Sequence, residues 1–333
     1  MTEMARLEAL LPVDEVRGIA PLLRKSASIL AALLCLTPWV TPPIALAIGV
    51  VLALTMENPF GKEGRMISKL LLQGCVVLLG FGMDLGTVLR AGVGGLMFAA
   101  GTIFTTLSLG WALGRLLKIA PRTSMLISAG TAICGGSAIA AVGSVIGGVD
   151  AEMTVALGTV FILNAVALYL FPVLGHALHL SQTQFGTWAG VAIHDVSSVV
   201  GAAARYGLPA LQVATAVKLS RALWIVPVSL GAAVAFGSAN KPTGAARGRV
   251  QVPWFIGLFL MASVLRSFSP AVARAAPALT HLATIGLTLT LFLIGTSLSR
   301  AMLRSVGWRP MAQGVLLWLF ISTMSLLIIL HIG

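Results

Sequence analysis

The sequence predicts an all-α protein: a polytopic bundle of transmembrane helices. Three observations carry that expectation. Hydrophobic residues make up 58% of the chain and charged residues 10%, with a mean hydropathy of +0.99. Apolar stretches recur from end to end with short loops between them. Glycine is frequent, at 36 of 333 residues, which suits helices packed closely in lipid. A water-soluble domain carries about 25% charged residues, so this chain could not cover a water-exposed surface. The two or three soluble domains that its length would otherwise allow are excluded.

In chain order, residues 1–25 carry charges of both signs, among them Glu3, Arg6, Asp14, Arg17 and Lys25. No apolar run precedes a small-residue cleavage site, so the segment reads as a cytoplasmic arm and not a signal peptide. Residues 26–333 read as one transmembrane domain. A spanning helix needs roughly 20 apolar residues, and eleven apolar segments are found: 26–40, 44–56, 67–83, 95–117, 123–147, 151–172, 182–204, 210–236, 252–268, 278–298 and 311–332. Pro38, Pro42 and Pro43 separate the first two. The one soluble-looking linker is Gly237–Val250. Cys35, Cys75 and Cys134 lie in apolar segments without paired spacing or a histidine cluster, which argues against disulfides and zinc.

The net charge of +12 is explained by topology and requires no nucleic-acid partner. With the N-terminus inside and every segment crossing, the cytoplasmic side receives the basic residues of the arm, of Lys62–Lys69, Arg115–Arg122, Lys241–Arg249 and Arg300–Arg309. Only Arg90, Arg205, Arg266 and Arg274 fall outside, as the positive-inside rule requires. The C-terminus is then outside.

Segments 123–147 and 182–204 are interrupted. Around Gly135-Gly136 and around His194-Asp195 they share Gly130/Gly190, Ala132/Ala192, Ile133/Ile193 and Ser137/Ser197. Paired glycines in mid-membrane favour a break, since glycine costs about 1 kcal/mol relative to alanine inside a helix. A break frees backbone groups that are tolerated only where they line a cavity or are buried in protein. The half-helix after it offers amide donors and a partial positive charge. Transporters use such pairs in inverted repeats, and a weak echo of Leu79, Leu89, Arg90 and Met97 in Leu293, Leu303, Arg304 and Met311 fits an inverted repeat here. Both segments could cross, or both could be re-entrant; the charge count is the same either way.

Ionisable side chains at depth are costly and mark functional sites. Lys218 and Arg221 share a helical face in segment 210–236, His194-Asp195 interrupts segment 182–204, and Asn164 lies within 151–172. A buried charge network joining Asp195 to a cation is one reading. Against it, two cations and one acid leave a positive surplus, which an anionic substrate would neutralise. Nothing in the sequence suggests a cofactor, a metal cluster or a phosphate loop. Asp195 adjoins His194 and so is poorly placed to orient it as a base for Cys134, which argues against an enzyme.

On these residues the chain resembles the YeiH-type family of bacterial inner-membrane proteins, often described as sulfate exporters. The resemblance rests on Gly130–Ala141 (GTAICGGSAIAA), on His194-Asp195 followed by Val199-Val200, and on Val217-Lys218-Leu219-Ser220-Arg221, and it runs from about residue 26 to the end. It implies the bacterial inner membrane, a kinship with cation–proton antiporters and anion transporters, and inverted repeats with broken helices. Ser197-Ser198 stand where the family commonly shows Ala-Gln.

The resulting expectation is a secondary transporter for a small inorganic or organic anion, sulfate or sulfite export among the options. Its binding groups would be Thr131, Cys134, Gly135, Gly136, Ser137, Asn164, His194, Ser197, Ser198, Lys218 and Arg221. Asp195, with His194, would carry a coupling proton or sodium ion. The alternatives are a proton- or sodium-coupled cation antiporter, and a non-transporting scaffold or holin-associated protein. The bilayer is the expected environment, and a homodimer suits a transporter of this size, although no residue shows one.

Overall fold

The structure, a computed structural model, describes residues 26–37, 39–56, 61–237, 254–297 and 304–332. The N-terminal arm 1–25 and most of the linker after Gly237 lie outside the described residues. Among those described, the secondary structure is helical throughout. In order the helices are α1 (26–34), α2 (Pro42–Met56), α3 (Gly61–Gly80), α4 (Leu85–Leu116), α5 (Pro121–Ala132), α6 (Gly136–Ile146), α7 (Asp150–Ala177), α8 (Gln182–Ala192), α9 (Val196–Tyr206), α10 (Leu208–Ala222), α11 (Ile225–Gly237), α12 (Trp254–Phe268), α13 (Pro270–Thr296) and α14 (Trp308–Ile332). Among the described residues, four stretches are both long and apolar enough to cross a membrane: Asp150–Ala177, Leu208–Phe236, Pro270–Thr296 and Trp308–His331. Shorter apolar helices accompany them. The chain is a multi-pass membrane protein.

The two interrupted segments do not run straight on; each folds back as a hairpin. A single helix from Gln182 to Tyr206 would separate those residues by about 36 Å at 1.5 Å per residue. Instead the Gln182 side-chain amide donates to Tyr206 O at 3.0 Å and accepts from the Ala210 amide at 3.2 Å. Phe185 also stacks on Tyr206, with ring centroids 3.8 Å apart. The α8–α9 hairpin therefore leaves and returns at one level. Ser181 starts it with a capping box, accepting from the Gln184 amide at 3.2 Å while the Gln184 side chain accepts from the Ser181 amide. Gly186 and Gly190 let α10 pack closely along α8: methyls added there would lie 2.7 Å from Ala210 O and 2.9 Å from Ala214 O. Both sides of that contact advance by the same four residues, so α8 and α10 are parallel.

The first hairpin, α5–α6, has the same form. A methyl at Gly130 would lie 2.9 Å from the Ile139 side chain, and one at Gly148 would lie 3.7 Å from Leu126 Cδ1. Both pairings are impossible in one straight helix. Gly147, in the left-handed region at φ 67°, ends α6. Between the two hairpins runs α7, whose 28 residues span about 42 Å. The hairpins thus enter from opposite ends of α7.

The helices pack in two groups. In one, α2 and α3 pack on α13, and α12 on α3; in the other, α4 to α11 and α14 surround the hairpins. Within the first group α2 and α13 meet backbone to backbone, a methyl at Gly49 falling 3.0 Å from Gly295 Cα. Hydrogen bonds tie one group to the other, among them Tyr169 to Pro43 O at 2.6 Å, Gln212 to Gly82 O at 2.9 Å, and the Leu85 amide to Ser267 at 2.8 Å. All three lie toward the end of the bundle where the second hairpin has its base.

The hairpin geometry predicts accessibility. With the buried Cys35, Cys75 and Cys134 replaced by alanine, His179→Cys and Leu208→Cys should label with an impermeant maleimide from one face of the membrane. Ala120→Cys and Val149→Cys should label from the other. Labelling of positions 179 and 208 from opposite faces would show a crossing segment instead.

Candidate functional site at the hairpin tips

The two breaks meet. Gly135 occupies the first at φ 65°, a conformation that side chains other than glycine's rarely adopt. A methyl there would come within 3.5 Å of both Asp195 Cβ and the His194 carbonyl carbon, and within 3.3 Å of Val160. Asn164, halfway along α7, accepts from the Asp195 amide through Oδ1 at 3.2 Å. Both tips therefore lie at the mid-level of the helix between them. Thr102, at the middle of α4, joins the same level through Arg221.

Each break creates two helix ends of opposite polarity, and the chain treats them differently. The carbonyl ends carry partial negative charge, and the two buried cations answer them. Lys218 Nζ donates to Ile193 O at 2.6 Å, closing the end of α8. Arg221 donates through one terminal nitrogen to Ala132 O, closing the end of α5, and through the other to Thr102 Oγ1 at 2.6 Å. Both side chains are 0% exposed, so their i, i+3 spacing puts one cation on each hairpin. At the amide ends, Asp195 caps α9: the Ser197 amide donates to Asp195 Oδ2 at 3.2 Å, and the Ser197 hydroxyl donates to the same oxygen. The N-cap of α6, Gly135, has no side chain to offer its amides.

The site residues expected from sequence are mostly brought together. Thr131, Cys134, Gly135, Asn164, His194, Asp195, Ser197, Ser198, Lys218 and Arg221 all lie at the tips or on the helices beside them. Ser137 is exposed on α6, and Gly136 faces Leu157 and Phe161 of α7. A direct pairing of Asp195 with a cation, the reading argued against above, is not seen among the described residues: its carboxylate hydrogen-bonds Ser197, while Lys218 and Arg221 bond carbonyls. Several polar atoms in this core have no hydrogen-bond partner among the described residues: Asn164 Nδ2, Thr131 Oγ1, Arg221 Nε and both ring nitrogens of His194.

A cavity of about 10 Å³, lined by Leu46, Phe161, Asn164, Ala165, Asp195, Ser198 and Ile294, lies beside the second tip. Its polar side comes from the hairpin group and its apolar lid, Leu46 and Ile294, from α2 and α13. Sequence reasoning missed Thr102 and this lid. Thr102 also bonds its own helix backbone at Phe98 O, as threonines in membrane helices commonly do, so its pattern carried no signal.

A membrane bundle with two half-length hairpins meeting tip to tip, backed by buried cations, has the centre of a transporter-like membrane protein. The chain belongs to the family described as conserved hypothetical protein 698, whose model matches residues 22–314; this is the YeiH-type family. It is similar to proteins called UPF0324 membrane protein in three bacteria. The one from Bacteroides thetaiotaomicron is 50% identical over 290 residues, 86% of each chain. That from Porphyromonas gingivalis is 51% identical over 302 residues, 89% of each. That from Bdellovibrio bacteriovorus is 47% identical over 302 residues, 91% of this chain and 93% of the relative. No solved structure matches the chain.

The capping contacts predict a structural role for both cations. Lys218→Met or Arg221→Met strips a buried carbonyl of its donor, which costs about 1–3 kcal/mol. Either variant should melt several degrees below the wild type in detergent. An unchanged melting temperature would show that the cation does not hold its hairpin.

Proposed function

We propose that the protein is a secondary transporter for a small anion, such as sulfate, sulfite or an organic sulfonate, in the bacterial inner membrane. The two hairpins are read as the centres of inverted halves. Each occupies half the membrane, while α3, α4, α7, α10–α11, α12, α13 and α14 are read as crossing it. The described basic residues Lys69, Arg115, Lys118, Arg122, Arg304 and Arg309 then share the face where the first hairpin has its base, which is assigned to the cytoplasm.

The observation that carries the anion reading is the imbalance of charge at the tips. Lys218 and Arg221 cancel the carbonyl ends of α5 and α8, and Asp195 occupies the amide end of α9. That leaves the amide end of α6 without a carboxylate, its Ala138 amide meeting only the Cys134 sulfur, and Asn164 Nδ2 on α7 as a donor in want of an acceptor. Asn164 is 3% exposed, and an unpaired buried donor costs about 1–3 kcal/mol. Phe161 borders both features. The cavity as it stands suits one water, because a water needs about 10–15 Å³. An oxyanion is larger, so binding one requires the lid of Leu46 and Ile294 to part from the hairpin group.

Asp195, the acidic side chain at this depth, favours a second reading: a proton- or sodium-coupled cation antiporter. Substrate charge separates the two. In proteoliposomes, saturable uptake of radiolabelled sulfate, thiosulfate or isethionate should fall by at least about a hundredfold in Asn164→Leu, a loss on the scale of an unpaired buried hydrogen bond to a charged ligand. Uptake of none of the three by the wild type sinks the anion reading. Flux driven by a cation gradient and indifferent to anions would support the antiporter.

A further inference from the structure

We propose that Asp195 binds a proton together with the anion, so that the protein is a proton–anion symporter; this rests on the anion-transport reading above. The geometry points there in three steps. First, the Ser197 amide and hydroxyl both donate to Oδ2, the Val196 amide also reaches the carboxylate, and Asp195 lines the water-sized cavity. Second, the other polar groups lining that cavity are Asn164 and Ser198. Asn164 Oδ1 is already engaged by the Asp195 amide, so Asn164 presents Nδ2, a donor. A bare metal cation would meet at most the Asp195 carboxylate and the Ser198 hydroxyl among apolar walls, with an unpartnered amide donor beside them. Hard cations need about six or more oxygens. A water fits, since it can accept from Asn164 and donate to Asp195, with Ser198 as a third partner. Third, the charged neighbours are few. Lys218 of α10 acts on Asp195 from one side, and the first hairpin brings Gly135 against it. Cys134 precedes that glycine, His194 precedes Asp195 in the chain, and α2 and α13 contribute Leu46 and Ile294.

The coupling follows from charge. With Asp195 ionised, an anion at the tips meets a carboxylate at close range in a setting of low dielectric, where like charges repel strongly. A hydronium in the cavity passes its proton to the Asp195 carboxylate, leaving water and a neutral carboxyl group. The two cations then stand without an acidic counterweight, and the anion is attracted. Loss of the anion reverses the step and returns the proton to water on the side of release. Proton and anion therefore travel in one direction. In a cell with an inward proton gradient this drives accumulation, the opposite of the export that the family resemblance implied.

The test uses the full chain in proteoliposomes holding a trapped pH-sensitive dye, with sulfate, thiosulfate and isethionate as probes. Entry of the transported anion should acidify the lumen by about one proton per anion. Anion entry without acidification, or with alkalinisation, overturns the symport while leaving anion transport intact. Entry of none of the probes overturns both. Asp195→Asn keeps a good helix cap and mimics the protonated acid. It should bind the anion about tenfold tighter than wild type at neutral pH, lose the pH dependence of binding, and move the anion without acidification. An Asp195→Asn protein that still acidifies the lumen overturns the proposal, whatever the wild type does.

Discussion

Two backbone carbonyls, Ala132 O and Ile193 O, pose the problem around which this molecule is built. A hairpin that turns halfway through a membrane must end one helix where water cannot reach its carbonyls. The chain answers with two long cations on one helix, spaced so that one serves each hairpin. Their charge is favourable at a helix carbonyl end by up to about 2 kcal/mol in partly buried settings. The donor bonds add to this because the acceptors have no alternative. Placing both cations on α10, which lies parallel to α8, holds the two tips in register. The closeness of Gly135 to Asp195, the position of Asn164 and the cavity beside them depend on that register.

Much of this was legible in the sequence, and for definite reasons. Composition reported the membrane because no soluble surface can be made from it. Gly135-Gly136 and His194-Asp195 announced the breaks, since glycine pairs and an aspartate are costly in mid-helix. Lys218 and Arg221 were visible as a shared-face pair. What could not be read was their target. A cation buried in an apolar stretch signals a negative partner, and a helix carbonyl end, with about half a negative charge, can be that partner as well as a substrate can, so sequence assigned to an anion what the fold assigns first to the backbone. Crossing and re-entry were also indistinguishable, because about 25 residues make either one tilted span or two half-spans. The bonds of Gln182 to Tyr206 and Ala210 decide it, and a glutamine at a helix start carries no such message alone.

The division into two helix groups gives the site its chemical asymmetry. Everything polar around the cavity comes from the hairpin group, held by hydrogen bonds among α7, α9 and α10. The lid comes from α2 and α13, which Gly49 and Gly295 press together until backbone meets backbone. Such a pair has little freedom to flex independently, and at the cavity it offers the hairpin group methyl groups and no bonds. Sliding past Leu46 and Ile294 breaks nothing directional.

The hydrogen bonds of Tyr169, Gln212 and the Leu85 amide that join the groups gather toward the end where the second hairpin has its base. The interface is stitched along one margin and greased at the level of the tips. Were the groups to part for transport, a block fastened in this way would swing about its stitched margin like a door on hinges. The mouth of the cleft would then face the base of the first hairpin, and reaching the other side would mean undoing those bonds.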